Sequence, residues 1–168
     1  MRNYHDGSHD YVAQTPQPIL EYRESGGDER EVVVEKGFVA AIQEKKYFIH
    51  CAATLPIKEF ESDLGFGLWV EVSRDDFFRY YKAQEDDNLY REFECKGILA
   101  NDWPLFPGTC GDDVFIKVVS LHSKIRIVNI ESSDVELPKY TEKDSLTPHQ
   151  KDILRKRIKD FYLHKKYK

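Results

Sequence analysis

Residues 46–57 constrain this chain more than any other stretch. Tyr47, Ile49, Cys51 and Ala53 alternate with Phe48, His50, Ala52 and Thr54. Neighbouring side chains of a strand point to opposite faces, and here both sets are mostly apolar. A strand of that kind runs through the middle of a sheet and is covered on both sides. Gly67–Val72 continues in kind, with Leu68, Val70 and Val72 alternating against Trp69 and Glu71. Such strands need covering layers, and 168 residues are enough for one domain with a sizeable core.

The layers are legible on either side. Ser73-Arg74-Asp75-Asp76 has a serine at the N-cap and a carboxylate at N3, close to a capping box. It predicts a helix over about 74–84, with Phe77, Phe78, Tyr80 and Tyr81 as a broad aromatic face. The acids from Glu85 to Asp87 stop it at the unfavourable end of its dipole. Thr147-Pro148-His149-Gln150 is a second start signal, with threonine as N-cap, proline at N1 and glutamine at N3. The stripe Ile153, Leu154, Ile158, Phe161 and Tyr162 carries that helix over about 148–164.

Short strands are expected at Val32–Glu35, Phe38–Ile42, Arg91–Ala100, Val114–Leu121 and Lys124–Glu131. The last two are expected to meet in a tight hairpin at His122-Ser123. The fold class is α+β: a mostly antiparallel β-sheet with a middle helix and a C-terminal helix packed on it. It reads as a single domain over 1–168. Residues 1–31 form a polar segment, 32–131 a sheet core with one helix, and 147–168 the C-terminal helix. Pro16 and Pro18 exclude a long regular helix near the start.

Ten Phe, ten Tyr and two Trp argue against disorder, which goes with a shortage of aromatic area. No apolar run approaches the ~18 residues of a membrane span. The first residues show no apolar signal region. Cys51, Cys95 and Cys110 are odd in number and widely spaced, so reduced thiols and a cytoplasmic location are expected. The net charge of −5 is unevenly spread. From Lys151 to Lys168, eight Lys/Arg and two Asp/Glu give +6, which leaves −11 for the rest. An acidic body with a basic tail helix repels nucleic acid over most of its surface and attracts a basic protein.

Chemistry is sparse. Gly65 and Gly67 precede a strand, whereas phosphate-binding glycines lie between a strand and its helix. They are expected to permit a bend where the chain enters the sheet. His5 and His9 have the spacing of metal ligands on a helix, but Gly7-Ser8 between them weakens that helix, and no metal or cofactor is expected. His50 and Cys51 point to opposite faces and cannot act as a pair. The carboxylates at Asp75, Asp76, Asp112 and Asp113 fall at element ends, where solvated acids usually lie, and together could form an acidic binding face. Trp103 lies in a loop stiffened by Pro104 and Pro107. It is either an exposed protein anchor or a lid folded onto the sheet.

Three motifs occur in a familiar order. They are Tyr47-Phe48-Ile49; Gly65 to Val70 leading through Ser73 to Phe77-Phe78-Arg79-Tyr80; and Gly97-Ile98-Leu99 followed by Trp103 to Thr109. This order resembles a bacterial family of uncharacterised domains over about residues 3–131. His50-Cys51 stands where that family has Arg-Gly, and the cysteines that precede its His-Asp are absent before His5-Asp6. The resemblance implies a bacterial, cytoplasmic protein and supplies no catalytic residues.

The expected function is therefore non-enzymatic protein binding. An immunity-type protein would occlude a basic toxin domain with an acidic face, through Asp75, Asp76, Trp103, Asp112 and Asp113. The alternative is a hydrolase using Cys110, His122 and nearby acids. A third reading is nucleic-acid contact through the C-terminal helix, although no aromatic–basic interleaving accompanies it.

Overall fold

A computed structural model describes residues 11–53, 65–141 and 146–167. The central strand is β4, Lys46–Ala53, whose last seven residues are all buried. It pairs along its length with antiparallel β5, Phe66–Val72, from Tyr47 opposite Val72 to Ala53 opposite Phe66. The other edge of β4 is shared. Its first half pairs with β3, Val39–Ile42, which turns back onto β2, Val32–Glu35. Its far end pairs in parallel with β8, Arg126–Glu131, through Ala52 and Ala53.

That second pairing closes the sheet. β5 pairs with β6, Glu94–Leu99, then β6 with β7, Asp113–Lys117, and β7 with β8, which returns to β4. The five strands make a ring, and β2–β3 hang outside it. A two-residue strand β1, Tyr11–Val12, lies parallel to β5, and β9, Lys139–Thr141, edges β8. Seven of the nine pairings are antiparallel. The α+β class and the mostly antiparallel sheet stand as expected; ring closure is the addition.

Alternation decides what faces inward. Ile49, Cys51, Leu68, Val70, Cys95, Leu99, Val114, Ile116, Ile127 and Ile130 are all buried and share one face through the register. The middle helix α2, Arg74–Ala83, packs over one end, with Phe77 on Tyr47 at 5.1 Å. Its Tyr80 meets Phe93 at 5.1 Å. Ser73 caps it by accepting from the Asp76 amide at 3.1 Å. The C-terminal helix α4, Pro148–Tyr167, packs over the other end, with Phe161 on Phe66 at 5.7 Å. Thr147 and Gln150 cap α4 reciprocally, at 3.2 and 3.0 Å. A short helix α1, Gln17–Glu24, starts at the prolines and buries Ile19.

Three local expectations change. The connection from β7 to β8 spans 118–125 rather than a two-residue turn. Asp87–Arg91 forms another short helix, α3, capped by Asp86, where strand was expected only from Arg91. Gly67 sits in unbroken register, so it makes no bulge. A methyl there would stand 2.7 Å from His50 Cε1, and the glycine makes room for that ring.

Candidate functional site

Beside α2 the sheet leaves a groove. The register sets Val33, Ala41, Tyr47 and Val72 in one row across β2, β3, β4 and β5. Ala41, between two larger neighbours, keeps the floor low. From the helix side come Arg74, Phe77, Phe78 and Tyr81, spaced i, i+3, i+4 and i+7 on one face. Phe77 and Tyr47 are packed down, while Phe78 and Tyr81 stay 50% and 48% exposed. The hollow holds about 370 Å³, within the ~300–1,000 Å³ of ordinary ligand clefts.

Its electrostatics are uneven. Glu35 lines the groove from β2 and Glu44 from the turn between β3 and β4. Among the described residues neither forms an ion pair, whereas Glu29, Glu31, Glu71, Asp76, Glu94 and Glu131 each have a Lys or Arg partner. Glu44 has φ 63°, the left-handed region that disfavours a side chain. Arg74 stacks its guanidinium over Phe78, 5.4 Å from the ring centre.

The five expected contact residues do not meet in one place. Asp75 is exposed and flanks the aromatic face of α2. Asp76 turns away from the groove and pairs with Arg79 at 3.0 Å. Trp103 is fully buried against Phe66, Phe106 and Tyr140, so it is core and not an exposed anchor. Pro104 and Pro107 fold its loop inward, and Trp103 N–H is held by Thr109 Oγ1 at 3.1 Å. Asp112 accepts from the Ser133 amide at 2.6 Å and braces a loop. Asp113 is exposed and lines a separate hollow of about 390 Å³ on the outer face of β6–β8, with Lys96 and Glu131.

Cys110 and His122 are not brought together. The two lie beyond opposite ends of β7, five residues long, about 16 Å at ~3.3 Å per residue. Partial burial raises the Cys110 pKa, and the carboxylates of Asp102, Glu21 and Asp112 raise it further. A nucleophilic thiol needs the opposite shift. Burial likewise pushes Cys95 up to about 12 and Cys51 further.

Lys124 carries no local signal in the sequence. It is 7% exposed and hydrogen-bonded to Nδ1 of His50, itself 1% exposed and edge-on to Trp69 at 4.9 Å. No motif marks this buried pair, because 74 residues separate its members.

On α4, Arg157 is committed to Asp134, to Glu136 at 3.0 Å and to the Leu105 carbonyl at 2.9 Å. Burial alone would raise the Asp134 pKa, but hydrogen bonds from Arg157 and the Glu136 amide hold it below the usual value. No group of three or more His, Cys, Asp or Glu among the described residues is placed to hold a metal ion. His5 and His9 lie outside those residues. No described helix is long and apolar enough to cross a membrane.

Ring and groove define a small α+β domain with a half-exposed aromatic cleft at one end. The chain belongs to DUF2199, a family of uncharacterised proteins conserved in bacteria, which it matches over residues 2–143. The match ends before α4 begins. No curated protein and no solved structure matches the chain.

Proposed function

We propose that the protein is a non-enzymatic binding domain of the immunity type, which neutralises a basic toxin domain by covering it. The half-exposed groove of Phe78 and Tyr81 carries this reading. Aromatic side chains are worth most to a folded protein when buried, and rings left half in water at a cleft are the usual anchors of a protein interface. Charge supports it: −11 outside residues 151–168 favours encounter with a basic target. The contact set that follows is Phe78, Tyr81, Glu35, Glu44 and Asp75.

The test is co-expression with the product of the neighbouring gene. Rescue of growth and co-purification are expected, and both should fail in a Phe78→Ala/Tyr81→Ala chain that still folds. A non-toxic neighbour, or co-purification indifferent to the double substitution, would sink the reading.

A further inference from the structure

We infer that the groove is a socket for an arginine side chain carried on a basic segment of a partner protein. This rests on the protein-binding reading and names the chemistry of the anchor. An apolar partner residue would suit the ring faces alone. It would leave two carboxylates, Glu35 and Glu44, without a counterion among the described residues on the rim of a partly closed hollow. A cation satisfies both parts.

The rings are arranged for this. Phe77 and Phe78 meet at 86° with centres 5.3 Å apart, and Tyr47 lies 5.9 Å from Phe78 at 59°. The three rings that line the hollow are therefore tilted against one another. A cation within about 6 Å of a ring face is attracted by the ring quadrupole. Arg74 already does this from the edge, over Phe78. Its guanidinium shows in the protein's own side chains the cation–ring contact that an incoming guanidinium would repeat. Arginine fits better than lysine because its flat group stacks on a ring while its edge donates to a carboxylate.

Glu44 supplies a way to separate binding from folding. Glycine tolerates its φ of 63° without the side-chain penalty. Glu44→Gly should therefore unfold no more easily than the parent while lacking a rim carboxylate.

The experiment titrates the full chain with acetylated hexa-arginine amide, its hexa-citrulline counterpart and hexa-lysine, followed by NMR shifts of Val33, Phe78 and Tyr81. One-to-one binding of hexa-arginine at these residues is expected. Citrulline and lysine peptides should bind about tenfold more weakly, and Phe78→Ala and Glu44→Gly should each weaken hexa-arginine about tenfold. Equal binding of citrulline or lysine peptide overturns the arginine assignment. So does hexa-arginine binding that survives Phe78→Ala, which would reflect diffuse charge. Concentration-dependent self-association abolished by Phe78→Ala would assign the face to a second copy and also overturn it. A toxin that needs Phe78 for binding but tolerates loss of every arginine defeats this inference alone. A neighbour that never binds defeats the function above.

Discussion

Alanine at Gly97 would strike the β5–β6 seam of the ring of strands. The register pairs β5 with β6 through Val70 with Leu99 and Glu71 with Ile98, and Gly97 lies beside that contact. A methyl carbon there would stand 2.7 Å from the Glu71 carbonyl oxygen and press on Val70 Cγ1. The first contact is about 0.7 Å too short, and backbone cannot swing aside as a side-chain tip can. Overpacking of this kind costs ~1–3 kcal/mol. The stiffer unfolded chain of alanine returns ~0.4–1 kcal/mol. The net loss is about 1–2 kcal/mol, a fall in Tm of roughly 2–8 °C for a chain of this length. Denaturant melts and amide exchange read it together. The Ala100 amide, which donates to the Trp69 carbonyl across the seam at 2.8 Å, should lose protection first. Gly108→Ala is the control: φ 78° with nothing within 4 Å, a backbone cost of ~1 kcal/mol without a clash. If Gly97→Ala melts within ~0.5 kcal/mol of the parent, or Ala100 keeps its protection, the seam is not as described.

Other outcomes follow from the same contacts. Because Asp134 has a lowered pKa in the fold, its contribution is full above the unfolded value of ~3.9 and is lost as pH falls through the folded one. The stability gap between parent and Asp134→Asn, measured by urea melts, should therefore close as pH drops below about 4. Thr147→Ala removes one half of the reciprocal cap on α4 and should cost ~1 kcal/mol, seen as fraying in amide exchange at Gln150 and Lys151. A native-state thiol titration at pH 7 should modify Cys110 alone, and slowly, with Cys51 and Cys95 reacting only on unfolding.

What the sequence reveals here is local. Ser73 with Asp76 and Thr147 with Gln150 announce their helices because a cap is a contact across three residues. The two-faced pattern of β4 is equally local. Ring closure is not, since it rests on Ala52 and Ala53 meeting Arg126 and Ile127 more than seventy residues on. Trp103 could have faced either way, and only the cluster of Phe66, Phe106 and Tyr140 decides it. The groove depends on a register that sets Ala41 between Val33 and Tyr47. Of its residues, the rings of α2 were visible as an aromatic face, but which of them stay in water was not.

The divided edge of β4 has a consequence for how such a protein changes over time. β8 closes the ring on one half of that edge, and the β2–β3 hairpin occupies the other. Substitutions in Val33, Glu35 or the Glu44 turn leave the ring's own hydrogen bonds intact. The domain is in effect a fixed ring carrying a hairpin that can vary in side chains without the ring having to fold differently.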